Sequence, residues 1–277
     1  MRAGLLPKAS PTDMSPDLAF VLTLALRMAV AAAFVVSASI ITERSGPVIG
    51  ALVATLPISA GPSYVFLALD HDAAFIATGA LASLPVNAAT IFLGLTYVVL
   101  AQRRSAWVSL AGAVMVWAVL VAAMQTVQWT LVRGLAANAI AFAVCLPVLR
   151  RYQNVKMPLA TRRWYDIPLR ATLVAILVAT VVGLSGWVGP RISGTIALFP
   201  MTFTSMMLIL HPRLGGPATA AVIANSGWGL LGFGLAIAVL HVAARPLGSA
   251  AALGLALLTC IGWNLALWGL SRRRIVR

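Results

Sequence analysis

The sequence predicts an all-α polytopic membrane protein: about nine transmembrane helices in two inverted-topology repeats, with a Pro-broken helix in each. Three observations predict it. Hydrophobic residues make up 61% of the 277 residues and charged residues only 9%, too little polar surface to cover a water-soluble globule. The apolar residues form continuous runs of about 20, the length of helix that crosses a hydrocarbon core. One stretch of chain, residues 26–67, also recurs without a gap at residues 169–210. The first observation excludes a soluble enzyme and a disordered chain. The second excludes a barrel, whose strands are shorter and alternate in hydropathy. The net charge of +14 would point to nucleic acid in a soluble chain. Here the basic residues are scattered among apolar runs, so the expected partner is the lipid bilayer and not nucleic acid.

Residues 1–17 form a polar N-terminal segment holding Pro7, Pro11 and Pro16. They do not read as a secretory signal, whose apolar core is only about 7–15 residues long. Ser15-Pro16-Asp17 reads as a helix start: a cap, a first-turn Pro and an acid at the positive dipole end. The spans expected are 18–41, 47–69, 73–101, 106–126 and 129–149, then 168–187, 191–210, 217–243 and 248–270. Residues 18–149 make the first repeat unit, 150–167 a basic loop, 168–271 the second unit, and 272–277 a basic tail.

Charge orients these spans. The loop at 150–167 carries Arg150, Arg151, Lys156, Arg162 and Arg163, which the positive-inside rule places in the cytoplasm. Counting outward from it puts 13 of the 20 basic residues inside and four outside, with Arg27, Arg133 and Arg170 within spans or at their ends. The N-terminus is then outside and the C-terminus inside. Arg outnumbers Lys 18 to 2 and Ala is abundant, which points to a GC-rich bacterial genome and an inner-membrane location.

The repeat aligns Leu26-Arg27, Gly46-Pro47, Ile49, Ala54, Pro57 and Leu67 with Leu169-Arg170, Gly189-Pro190, Ile192, Ala197, Pro200 and Leu210. Residues 26–67 show 10 identities in 42. Spans 1–4 pair with spans 6–9 around span 5. An odd number of spans separates equivalents, so the second copy runs upside down. This arrangement resembles the broad class of inverted-repeat secondary transporters. It is loosely similar to carriers built of two inverted five-span units, such as the bile acid/arsenite/riboflavin transporter group. Here the second unit lacks its last span, and a homodimer is one way to cover the gap. The resemblance implies transport by alternating access and assigns no residues.

The candidate site residues derive from the breaks. Pro57 and Pro200 each stand 11 residues after their Gly, about 16 Å into the span at 1.5 Å per residue. A mid-helix Pro removes a backbone hydrogen bond and disturbs the carbonyl four residues earlier, here Val53 and Ile196. Ser59 and Ser63 come after one break, Thr202 and Ser205 after the other. Asn87 and Asn225 lie in the next span along from each. These eight residues are the expected substrate-binding set; an ordinary Pro kink and interhelical amide contacts are the plainer readings. Arg27, Arg133 and Arg170 are the candidate access-path charges. In the repeat register Arg27 and Arg170 begin their spans, where snorkelling is the leading reading. All six acids fall in loops or at span ends, which disfavours carboxylate-driven coupling. No His/Cys/acid cluster has metal-ligand spacing, so neither a metal nor a cofactor is expected. The function expected is a secondary transporter or facilitator, not an enzyme, for a small polar solute, with an anion favoured. A non-transporting assembly subunit and a membrane enzyme acting on lipid-linked substrates are the alternatives.

Overall fold

The computed structural model describes residues 16–44, 58–155 and 164–275. Every regular element among them is helical. In chain order they are α1 (Pro16–Arg44), α2 (Ala60–Asp70), α3 (Ala73–Leu100), α4 (Ala106–Gln125) and α5 (Leu131–Leu149). After a 3-10 turn at Arg150–Tyr152 come α6 (Asp166–Ala197), α7 (Met201–Leu214), α8 (Gly216–Asn225), α9 (Gly227–Leu247) and α10 (Ser249–Ile275). Among the described residues seven helical segments are long and apolar enough to cross a membrane, α8 and α9 together forming one of them. The chain is a helical, multi-pass membrane protein. The short helices α2 and α7 are not among the seven.

Three boundaries differ from those expected. The spans read at 168–187 and 191–210 are joined through α6, which is broken at Gly189 (φ 72°, ψ 178°). Only a residue without a side chain adopts that conformation cheaply. Residues 190–197 then run up to a second break before α7. The span read at 217–243 is two helices meeting at Ser226. Arg27 does not begin its span, because α1 already starts at Pro16.

The middle of the molecule is α3, the most buried of the seven spans at 72%. Its composition explains this. Gly79, Ala80, Ala82, Ser83, Ala88 and Ala89 are all buried, and small residues let neighbouring backbones approach closely in a membrane, where apolar burial alone does not drive association. It packs against α4, α5, α6, α8 and α9. Its crossing with α6 is tight: a Cβ on Gly194 would overlap the backbone of Gly79. By contrast, α1 and α10 are largely exposed along apolar faces, for example Leu26 and Leu258. Such faces are expected where the solvent is hydrocarbon.

Two pairs of helix starts stand 143 residues apart. Ala73, which begins α3, aligns with Gly216, which begins α8. Ala106, which begins α4, aligns with Ser249, which begins α10. The capping chemistry does not recur. Asp72 caps α3 by accepting from the Phe75 N–H at 2.8 Å, whereas α8 and α10 start after Gly215 and Gly248, both at φ 81°.

The α3–α6 crossing gives a direct prediction. Gly194→Ala drives a methyl into the backbone of Gly79 and should cost roughly 1–3 kcal/mol. Gly183→Ala, with open space at its Cβ, should be neutral or slightly stabilising, because Ala favours the helix. Thermal unfolding in detergent, tracked by helical circular dichroism, should rank Gly194→Ala well below both the parent and Gly183→Ala.

Candidate functional site

The break at Pro200 is built by its own sequence. Proline brings no N–H to the ladder, and the helix stops short of it, at Ala197. The Ile196 carbonyl is not left open: the Phe199 N–H donates to it at 2.9 Å. Met201 N–H donates to Phe199 O at 2.7 Å and Thr204 N–H to Pro200 O at 3.0 Å, which restarts the helix as α7. Pro200 sits at the cap position without a side-chain cap. Pro57 lies outside the described residues, and so does Val53. After Pro57 the chain turns at Ile58–Ser59 and enters α2, also without a side-chain cap.

These two uncapped helix starts meet. The Thr202 hydroxyl donates to the Ser59 hydroxyl at 3.4 Å, across 143 residues of chain, and Ser59 is only 9% exposed. Each helix presents the positive end of its dipole there. The remaining hydroxyls of the expected set turn back on their own helices. Ser63 donates to Ser59 O at 3.3 Å and Ser205 to Thr202 O at 2.9 Å, and beside them Thr204 donates to Pro200 O at 3.1 Å. Their lone pairs stay available as acceptors.

A second polar centre lies on α3. Asn87 Nδ2 donates to Asn138 Oδ1 at 2.8 Å and to the Leu230 carbonyl at 3.3 Å. Asn138 Nδ2 donates to the carbonyls of Leu84 and Gly134 at 2.8 and 2.9 Å. This fixes the direction of both amides, since flipping either would set like groups against each other. Asn87 Oδ1 is then buried with no donor among the described residues. Gly234 makes the room, because a Cβ there would lie 2.7 Å from Asn87 Nδ2. Leu230 stands 143 residues after Asn87. Asn225 does not join this centre. It is exposed beside the loop after α5, donating to Ala221 O at 2.8 Å and Gln153 O at 3.3 Å.

The three arginines part company. Arg27 makes a two-pronged ion pair with Asp70, the last residue of α2, with Nη2 donating to Oδ1 at 2.6 Å. It also lies over the Phe66 ring at 5.9 Å. It is therefore not an unpaired charge. Arg133 is exposed in the first turn of α5, where its guanidinium donates to Gln128 O at 2.9 Å. Arg170 is half-buried in α6. A further ion pair was not foreseen from sequence: Arg213 Nη1 donates to Asp166 Oδ2 at 2.6 Å.

A groove of about 360 Å³ opens between α1, α2, α9 and α10. Ala60, Gly61 and Tyr64 line it from α2, Phe233 and Leu240 from α9, and Cys260 from α10. Its walls are apolar almost throughout. It touches α2 one residue beyond Ser59, and on α9 it touches the residue before Gly234. Sequence reasoning also missed Tyr64, whose buried hydroxyl bonds the Ser83 hydroxyl at 2.6 Å while Ser83 donates to Gly194 O at 2.8 Å. A lone Tyr in an apolar run gives no signal of that pairing.

No protein-family model matches the chain, and neither a curated protein nor a solved structure matches it.

The amide centre is testable by itself. Asn138→Leu removes the acceptor of Asn87 and strands a buried donor, which should cost about 1–2 kcal/mol in a membrane protein. The double variant Asn87→Leu/Asn138→Leu should lose less than the sum of the two single variants. Detergent unfolding of the four proteins measures the difference.

Proposed function

We propose that the chain is a secondary transporter or facilitator for a small polar solute, with an anion favoured, and not an enzyme. We further propose that it is built of two inverted repeats, with nine spans when residues 190–197 and α7 are counted as the two halves of one and the stretch read at 47–69, described from residue 58, as another. The observation that carries this reading is that repeat equivalents touch each other. In a two-fold arrangement, a contact between one residue and another's equivalent is matched by the reverse contact elsewhere. Only residues on the axis touch their own equivalents.

Three separate places behave so. Ser59 meets Thr202, and Asn87 meets Leu230. Ala31 and Val35 share one buried cluster with Val174 and Val178. Because an odd number of spans separates the copies, that axis lies in the membrane plane, as in inverted-repeat carriers. The Ser59–Thr202 contact is then at the midplane, where two helix N-termini face an anion or other acceptor-rich group. One bundle rocking against the other about Pro57 and Pro200 would expose this point to each face in turn. The positive-inside bias supports a cytoplasmic C-terminus and an external N-terminus in a bacterial inner membrane.

The apolar groove favours a second reading, in which the solute is amphipathic. Its aliphatic part would lie against Phe34, Tyr64 and Phe233 and its polar end at the Ser59–Thr202 pair.

Reconstituted proteoliposomes test both. Pro57→Ala and Pro200→Ala should each lower flux of a transported organic anion by about tenfold or more while the helical signal is kept. Unchanged flux in both would reject the midplane site. Movement of a fluorescent lipid analogue, without movement of small organic anions, would select the amphipathic reading.

A further inference from the structure

We infer that the two ion pairs, Arg27–Asp70 and Asp166–Arg213, are the two gates of this carrier, one at each membrane face; this rests on the alternating-access reading above. The two pairs hold matching places. Asp70 ends α2 and Arg213 lies in the last turn of α7, and the two are equivalents in the register that aligns Ser59 with Thr202. Each of these half-helices starts at the Ser59–Thr202 contact and runs outward for about three turns or more. Each ion pair ties the far end to the first span of its own half: α2 to α1, and α7 to α6.

The chemistry at the two places is reversed. An Asp in one half-helix faces an Arg, and an Arg in the other faces an Asp. The reversal is compensated by the neighbouring sequence. Arg170 is kept at the place of Arg27, so Arg213 in place of Asp70 would set two guanidinium groups against each other. Asp166, one turn before Arg170, replaces Thr23 at that register and supplies the carboxylate. The signs have changed and the pairing has not, so what both halves retain is an attraction at the outer end of the broken span.

Both pairs sit where an attraction can be made and broken. Their side chains are 17% and 30% exposed at Arg27 and Asp70, and 10% and 13% at Arg213 and Asp166. This is shielded enough for the charges to attract strongly, yet not sealed from water. The first pair lines a cavity of about 370 Å³ together with Thr23 and Val182. A histidine bond braces each end as well. His71, the residue after Asp70, bonds the Ser185 hydroxyl at 2.8 Å. His211, two residues before Arg213, bonds the Tyr97 hydroxyl at 2.8 Å. Swinging one half-helix away from its first span breaks one ion pair and leaves the other intact. That gives an either-or opening with two closed latches as the resting state.

The test reads access to the centre and needs no substrate. Cys145 and Cys260, both buried, are replaced by Ala, and Ser63→Cys places one thiol in the first turn of α2, where the parent side chain is 0% exposed. A membrane-impermeant maleimide is applied from either side of oriented vesicles. Asp70→Asn should raise the labelling rate about tenfold from one face, and Asp166→Asn should raise it from the other. Arg27→Gln and Arg213→Gln repeat the two openings with different chemistry. The exchange Arg27→Asp/Asp70→Arg should return labelling to the parent rate. Opposite-face opening supports the gates. Equal effects on the same face, or no effect in folded variants, would reduce the pairs to structural ties and overturn the inference. Opposite-face labelling without flux of any solute would keep the gates and reject transport, so the two failures are distinguishable.

Discussion

Hydrocarbon accepts no hydrogen bonds, so a backbone group that leaves a helix inside a bilayer must be satisfied by the protein. The arrangement around Pro200 depends on that constraint. Breaking the helix there is tolerable because Phe199 recovers the Ile196 carbonyl and Met201 recovers that of Phe199. The hydroxyls of Thr204 and Ser205 cover the carbonyls of Pro200 and Thr202. The opposite polarity is left over: the positive dipole ends of two helices that begin beside each other. The same constraint shapes α3, where the buried amides of Asn87 and Asn138 satisfy each other and the carbonyls of Leu84, Gly134 and Leu230. A chain this apolar keeps its polar groups at depth largely in paired sets, with Asn87 Oδ1 among the buried exceptions.

In the proposed repeat the two halves share a plan and differ in filling. Cys260 and Ala60, small residues lining the groove, stand at the register of Trp117 and Phe203 in the opposite halves. Trp117 is buried, lies edge-on to Phe199 at 5.1 Å and donates to the Thr90 hydroxyl at 3.2 Å. In that register one half is plugged by aromatic rings where the other is open between α1, α2, α9 and α10. Two nearly equivalent arrangements in which the plugged and open sides exchange would be the two ends of a transport cycle.

The membrane class and most helix positions were legible in the sequence, because mean hydropathy over about 20 residues is a strong signal. Proline and glycine marked the break at Pro200 and the bend at Gly189. Asn87 was legible as a buried amide needing partners, but its partners were not: Asn138 lies 51 residues away and Leu230 143, and no local pattern links them. Asn225 misled because a polar residue at depth on a helical count can still face the side, as it does beside Gln153. The ion pairs were invisible for a different reason. Asp70 and Asp166 stand at helix ends, where a window average reads an exposed loop, whereas tertiary packing brings Arg27 and Arg213 against them. The expected scarcity of deep acids was thus a statement about single spans, and pairing between helices changes what those acids do.

The central claim is that two broken spans, at equivalent places in the two halves, meet at one point and that this point must move for solute to pass. Cysteines at Ser59 and Thr202, in a chain whose own two cysteines are replaced by Ala, test it most directly in native membranes. The account predicts rapid disulfide formation under a mild oxidant, arrest of flux in the cross-linked protein and recovery on reduction. Absence of the disulfide, or a disulfide that leaves flux unchanged, would contradict it.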